Sequence, residues 1–482
     1  MHGLSKSRIL AHRQCPRRLW LQVHRPELMP EDQGAWMAAG IHAGEVARDL
    51  VPGGILIEPG DLRQALSETE ARLTEPPRPL FEATFQADGV LVRADLLLPG
   101  ESGWHMAEVK SSTSVKAYHY HDVAVQTWVV RQAGVPVVRV EVAHIDSGFV
   151  YPGGGDYRGL FRHVDVTEAV RDLEPEVPGW IAEARATLQG EDPRTPPGKH
   201  CHDPFDCPFL DVCAPSPGPE VFPPETLPYG GTVAHALRAE GYSDLRDVPP
   251  GRLTQPRHIR VWQVTRDNAP FLDPEAGRQI AALGWPRYFL DFETIQFAVP
   301  IWAGTRPYQQ IPFQWSCHVE GVSGSLAHHA FLAEGTGDPR LEFVQTLLAV
   351  LGTRGPILVY HAGFERTRMA ELADAFPEHA QALRTAMERI FDLLPVARAH
   401  YYHPDMRGSW SIKAVLPTIA PDLAYSDLEV ADGGMAQEAF AELLKPDTPG
   451  ARRAQLREAL LRYCERDTLA MVRLAHFFEG AH

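Results

Sequence analysis

VLVRADLLLPGESGWHMAEVKSS, residues 90–112, contains two apolar strand-like runs and three charged side chains that sit oddly within them. Asp95 interrupts the first run. Thirteen residues later, Glu108-Val109-Lys110 closes the second. Pro99-Gly100 marks the turn between them. Alternation along a strand places Glu108 and Lys110 on one face. Two carboxylates and a lysine buried in a sheet are costly unless they bind something. Asp and Glu are hard oxygen ligands suited to Mg²⁺ or Mn²⁺. A neighbouring lysine can orient water or stabilise charge on a phosphate. The alternative is an edge strand with solvated charges, and spacing alone does not separate the two.

Working outward, LFEATFQA (80–87) is a further strand, and VPVVRVEVAHI (135–145) another. Between them HDVAVQTWVVRQAG (121–134) is expected to be a helix ended by Gly134. Residues 1 to about 30 form a basic helix and its exit, followed by a helical stretch containing GIHAGEVARDL (40–50). YPGGGDYRGL (151–160) is a turn; no Lys-Ser/Thr follows its glycines, so it is not a phosphate loop. A helix around 168–189 leads to CHDPFDCPFLDVC (201–213). APSPGPEVFPPETLP (214–228) is a Pro-rich linker, and 229–285 a small helical connector. GWPRYFLDFETI (284–295) opens a second α/β pattern. Its strands are expected near 287–293, 310–319 and 355–360, and its helices near 338–352, 364–386 and 451–478. The division expected is therefore 1–214, 215–285 and 286–482, with no internal repeat.

The chain has 482 residues, enough for two or three domains, with 44% hydrophobic and 22% charged residues. No run of about 18 apolar residues is present, nor an apolar stretch of signal-peptide length near the start. A cytoplasmic protein with no membrane partner is expected. A net charge of −16 excludes an overall basic nucleic-acid binder but not local basic patches. Lys6, Arg8, Arg13, Arg17, Arg18 and Arg25 make the N-terminus locally basic. Six cysteines in a chain of this length are not a disulfide framework. Cys201, Cys207 and Cys213 form C-x5-C-x5-C, within reach of one metal centre, and Cys15 stands alone. Zinc sites more often use closer pairs, whereas all-thiolate ligation suits an Fe–S cluster. Cys317 and Cys464 are expected to be core thiols.

The C-terminal half has its own carboxylates. Asp291 and Glu293 share one face at the end of strand YFLDFET. Glu365 follows an apolar strand in VYHAGFERTRMAEL (359–372). In YCERD (463–467), Tyr463 and Asp467 are i and i+4 on one helix face. Three or four carboxylates brought together can hold two metals about 4 Å apart for phosphodiester hydrolysis. Tyr463 could orient the attacking water. GSWSIKAVLP (408–417) is a helix start with Ser409 or Ser411 as N-cap, and Lys413 is expected at the surface. YQQIPFQW (308–315) is expected to be a core strand.

D-x12-E-x-K, with His42 on a preceding helix and Gln126 on a following one, resembles the PD-(D/E)xK nuclease superfamily. It looks similar to the RecB-like branch with Fe–S clusters, which includes the CRISPR-associated exonucleases. The resemblance covers roughly residues 1–214. It implies metal ligation by His42, Asp95 and Glu108, catalysis by Lys110, and a supporting Gln126. Trp128 and Val130 stand where that branch usually has a Tyr. It also implies a [4Fe–4S] cluster on Cys15, Cys201, Cys207 and Cys213, stapling the two ends of the domain. Residues 286–480 resemble the DnaQ-like DEDD exonucleases of RNase H-like fold, in their Y-type. That resemblance implies Asp291, Glu293, Glu365 and Asp467 as ligands of Mg²⁺ or Mn²⁺, and Tyr463 as a catalytic residue. Glu365 stands where that family usually has Asp; Asp374 is a weaker substitute, and Asp392 supports without ligating. The whole chain resembles bacterial proteins that fuse the two domains. The implied fold class is α/β: a restriction-endonuclease-like domain with an Fe–S staple, then an RNase H-like mixed-sheet domain. The implied function is a metal-dependent DNA nuclease with two active sites, acting on single strands or duplex ends in repair or defence. An RNA exonuclease, or a nucleic-acid-binding scaffold with decayed sites, is the alternative.

Overall fold

The apolar runs form mixed sheets, and helices cover them, giving a mixed α/β protein. The structure, a computed structural model, describes residues 3–30, 34–58, 60–214, 218, 221–423 and 425–480. It divides into two units: Met1–Ser216 with Phe297–Gln309, and Pro217–Gln296 with Gln310–His482. No helix among the described residues is long and apolar enough to cross a membrane.

In the first unit the chain runs β1 (Leu4–Ser5), α1 (Lys6–Gln14), α2 (Pro16–His24), α3 (Gly34–Asp49), β2 (Ile55–Leu56) and α4 (Leu62–Thr74). It continues through β3 (Leu80–Ala87), β4 (Val90–Pro99), β5 (Trp104–Lys110), α5 (Ala117–Gln132), β6 (Val137–Ile145), β7 (Phe161–Asp165), α6 (Thr167–Leu173), α7 (Val177–Gln189) and α8 (Leu210–Cys213). The sheet order is β2-β3-β4-β5-β6-β7, with β1 added parallel to β4. The helix expected over 168–189 is two, α6 and α7, joined by a 3₁₀ turn at Glu174–Glu176 that contains Pro175. Val123, Ala124, Val125, Val129 and Val130 of α5 are fully buried against Val92, Ala94, Met106 and Val140 of the sheet. A helix buried on so many sides leaves its polar residues without water. Asp122 and Gln126, one turn apart on α5, therefore need partners inside the protein.

The second unit runs α9 (Gly231–Ala239), α10 (Pro256–Asp267), β8 (Phe271–Leu272), α11 (Glu275–Ala281), β9 (Arg287–Ile295), β10 (Ile311–Glu320), β11 (Leu326–Leu332) and α12 (Arg340–Leu351). Then come β12 (Ile357–Val359), α13 (Gly363–Ala375), α14 (Ala380–Glu388), β13 (Ile390–Asp392), α15 (Leu393–His400), β14 (Tyr401–Tyr402), α16 (Ile412–Ile419), α17 (Gly433–Leu444) and α18 (Gly450–Glu479). The five-stranded sheet has the order β11-β10-β9-β12-β13. The central strand β9 is antiparallel to β10 and parallel to β12. The helix expected over 364–386 is interrupted at Pro377, giving α13 and α14. Residues 229–285, set apart by composition, share one core with this sheet: Leu237, Val261 and Ile280 belong with Phe289 and Leu358.

The 30-residue helix α18 is fixed to the sheet by polar ties along its length. Gln314 on β10 donates to the Leu460 carbonyl at 2.8 Å. Thr468 hydrogen-bonds Ser316 and His318, both at 2.8 Å. At its C-terminal end Glu479 receives the guanidinium of Arg287, which is 1% exposed, at 3.0 and 3.1 Å. These ties set the rotation of α18, and so the face that Tyr463, Cys464 and Asp467 present.

Candidate functional site

In the second unit, Asp291 and Glu293 lie on β9, Glu365 in the first turn of α13, and Asp467 midway along α18. Their charges reach one another: Asp467, Glu293 and Glu365 all act on Asp291, and Asp467 and Glu365 act on Glu293. Burial, then the Asp467 charge, pushes Asp291 well above the usual carboxylate range. The same two causes push Glu293 up to about 8. Burial pushes Glu365 up to about 8 and Asp467 to about 6. Glu365 is 2% exposed, and its Oε2 has no hydrogen-bond partner. An orphaned buried carboxylate oxygen beside three more acids fits a divalent cation.

Three residues join this centre that the sequence did not assign to it. Cys464, expected to be a core thiol, donates to Asp291 Oδ2 at 3.6 Å. Ligand atoms of Asp291, Glu293 and Cys464 all lie within 4.8 Å of one another. Tyr425 donates to Asp467 Oδ1. Lys413, expected at the surface, donates to the Ala431 carbonyl at 2.7 Å, and its ammonium lies 5.0 Å from the Tyr463 ring and 5.4 Å from that of Tyr425. Its charge acts on both Glu293 and Asp467. Ser411, not Ser409, is the N-cap of the helix that carries it. Tyr463 hydrogen-bonds Asp467, and burial holds its phenol protonated, with a raised pKa. A protonated phenol can orient water but does not act as a base at neutral pH.

Asp392 acts behind this centre. Its carboxylate accepts the backbone N–H groups of His361 and Ala362 at 3.0 and 2.9 Å, and that of Leu394 at 2.9 Å. It thereby fixes the left-handed turn at His361, φ 81°, that delivers Glu365. Asp392→Ala is expected to cost about 1–2 kcal/mol, the range for a lost cap. Metal affinity should fall with it. Urea unfolding and a Mn²⁺ titration check both.

In the first unit Asp95, Glu108, Lys110 and Gln126 come together, joined by Lys6 and Asp122. Lys110 Nζ lies 2.7 Å from Glu108 Oε1 and 2.5 Å from Asp122 Oδ2. Gln126 Nε2 donates to Glu108 Oε2 at 2.6 Å. Asp95 accepts the Val109 N–H at 2.7 Å. Burial, then Glu108, pushes Asp95 up to about 8. Burial acts on Glu108 and Asp122 too, but Lys110 and Lys6 outweigh it and hold both below their ordinary values. Asp95 and Glu108 are the carboxylates here that would hold a divalent cation, an acid held up beside an acid held down. His42 is not drawn in: it is exposed and faces Glu45 at 3.4 Å. Helix α3 contributes Arg48 instead, 3.3 Å from Glu82. Glu82 stands opposite Asp95 in the β3–β4 register and has φ 55°. Such a strained backbone conformation is common near functional sites.

The four expected cluster cysteines are free thiols. Cys15 follows α1, and Gln14 donates to the carbonyls of His200 and Phe205 at 2.9 and 2.6 Å. The Cys207 N–H donates to the Cys201 carbonyl at 2.7 Å. Cys15 and Cys201 lie close enough that their charges act on Cys207 and Cys213. A tetrahedral zinc site holds its sulfurs roughly 4 Å apart. Among the described residues, no three of these thiols have sulfurs within 4.8 Å of one another. The basic N-terminal run is largely engaged elsewhere. Arg13 stacks on Trp180 at 3.9 Å, Arg17 pairs with Asp192 at 3.0 Å and Arg25 with Glu27.

A family model described as a domain of unknown function, DUF2779, matches residues 288–411. The chain is similar to an uncharacterized protein of Mycoplasma pneumoniae, an MG366 homolog, with 27% identity over 212 residues. It is also similar to the uncharacterized protein UU173 of Ureaplasma parvum, with 23% identity over 221 residues. These matches cover 40% and 41% of this chain. They span 32% of each relative, about a third of its length.

Proposed function

We propose that this chain is a metal-dependent nuclease with two centres, hydrolysing phosphodiester bonds of DNA at single strands or duplex ends. The observation that carries the reading is the convergence of Asp291, Glu293, Glu365 and Asp467, all protonation-prone and largely buried, with one lysine near them. Four acids in one buried place are stable as anions only beside divalent cations. A mixed five-stranded sheet with its acidic strand at the centre supports the RNase H-like, DnaQ-like reading of this unit. The pairing of Asp95, Glu108 and Lys110 supports the PD-(D/E)xK reading of the other. The four free thiols support a [4Fe–4S] staple there.

Bound Mg²⁺ or Mn²⁺ would lower the pKa of water and neutralise charge on the phosphate. In the second unit, Tyr463 orients the attacking water and Lys413 adds positive charge beside the phosphate. In the first, Gln126 and Lys110 fix Glu108, and Lys110 remains charged at neutral pH because its acidic neighbours outweigh burial. End-labelled DNA and RNA, incubated with Mn²⁺ or Mg²⁺ and anaerobically prepared protein, provide the test. Lys110→Ala and Asp291→Ala should each remove one class of product, and the double variant all cleavage. An intact substrate with the wild-type protein under both metals rejects the reading in favour of a binding scaffold.

A further inference from the structure

We propose that Lys6 is a second functional lysine of the first unit's centre, one that contacts a substrate phosphate. This rests on the nuclease reading and extends it to a residue that the D-x12-E-x-K pattern does not contain. Lys6 is the first residue of α1. The positive end of a helix dipole disfavours a cation there, so the position needs compensation. Glu108 and Asp122 provide it: Lys6 Nζ lies 2.7 Å from Glu108 Oε1 and 3.5 Å from Asp122 Oδ1. The placement is fixed rather than incidental. Leu4 and Ser5 pair with Val90 and Leu91 of β4, and Ser5 caps α1 through its side chain. The strand that carries Asp95 therefore also sets where Lys6 begins.

Two ammonium groups share one oxygen here, since Lys110 Nζ also lies 2.7 Å from Glu108 Oε1. A divalent cation held by Asp95 and Glu108 would compete with both. Lys110 keeps a second anchor, Asp122, at 2.5 Å. Lys6 has only the longer contact to that residue, at 3.5 Å. Lys6 is thus the more weakly anchored of the two cations and would be the one released if Glu108 held a metal. Its side chain is 26% exposed, against 3% for Glu108, so the released ammonium faces the open side of the centre. A long, flexible cation at that position is suited to a phosphate oxygen.

The test uses full-length protein carrying Asp291→Asn throughout, so that only the first centre cleaves. Lys6→Ala, Lys6→Arg and Lys110→Ala are compared with this parent. Three readouts are taken: single-turnover cleavage of end-labelled single-stranded DNA in Mn²⁺, Mn²⁺ binding without DNA by electron paramagnetic resonance, and the salt dependence of DNA binding in Ca²⁺. Lys6→Ala should cleave about 10²-fold more slowly. Its salt slope should fall by about one, its Mn²⁺ binding should tighten, and Lys6→Arg should recover part of the rate. Lys6→Ala that matches an active parent in rate and salt slope overturns the proposal alone. Lys6→Ala that loses Mn²⁺ binding overturns it too, by making Lys6 a support for Glu108. A parent as inactive as Lys110→Ala overturns the nuclease reading of the first unit, and this proposal with it.

Discussion

Asp291→Asn is expected to abolish cleavage by the second unit while making the metal-free protein more stable. The loss should exceed about 10³-fold, since removing a metal ligand removes the charge that holds the transition state. The gain in stability follows from the same carboxylates. Asp291, Glu293, Glu365 and Asp467 all titrate above their ordinary values in the folded protein. The folded state therefore binds more protons than the unfolded chain between about pH 4 and pH 8, and stability falls as pH rises through that window. Removing one negative charge relieves the remainder, most of all near pH 8. Mn²⁺ should reverse the trend in the wild type. At about 100 times Kd it contributes about 2.7 kcal/mol, or roughly 5–10 °C in Tm for a unit of this size. Thermal unfolding at pH 5.5 and pH 8, with and without Mn²⁺, checks all of this. A wild-type Tm that ignores metal at both pH values counts against a metal centre.

The sequence made the carboxylates of this centre legible because local periodicity decides where they point. Asp291 and Glu293 alternate on one strand, Tyr463 and Asp467 are one helical turn apart, and Glu365 opens a helix after a strand. What remained hidden depends on approaches between distant elements. Cys464 has apolar neighbours in sequence, and only the docking of α18 on β9 sets its thiol beside Asp291. Tyr425 and Lys413 carry no local mark, because the loop and helix that bear them fold back over the acids. Asp122 could have been found: it stands four residues before Gln126, beside the apolar run Val123-Ala124-Val125, where a buried polar pair needs a reason. Lys6 could not, since a lysine among arginines near the start reads as surface charge. His42 is the opposite case, a residue named from its resemblance whose side chain is exposed and faces Glu45. Phe297–Gln309 shows a third kind: it lies between two strands of one sheet yet packs in the other unit, where Val299 joins Ala43, Ile145 and Leu160.

The first unit has the opposite electrostatic design, and Lys110→Ala should expose it. There Glu108 and Asp122 are already neutralised by protein cations, so deleting a cation leaves charge buried rather than relieving it. Glu108 is 3% exposed and Asp122 4%, and both ion-pair with Lys110. Breaking a buried pair by removing one partner costs about 3–5 kcal/mol. Lys6 remains and lowers that figure toward its small end. Both carboxyls are held below their ordinary values in the folded protein. The stability they contribute is therefore present above the unfolded pKa near 4 and is lost as pH falls through their folded values. Lys110→Ala should consequently be much less stable than wild type at pH 7 and closer to it near pH 4. Lys110→Met keeps the aliphatic stem and should show the same pH trend, which separates lost charge from lost packing. Asp291→Asn and Lys110→Ala thus make a pair: both end cleavage at one centre, yet their metal-free stabilities at neutral pH move in opposite directions. If both variants are destabilised alike, the two centres do not differ in charge balance, and the assignment of metals to an acid-rich second unit loses its physical basis.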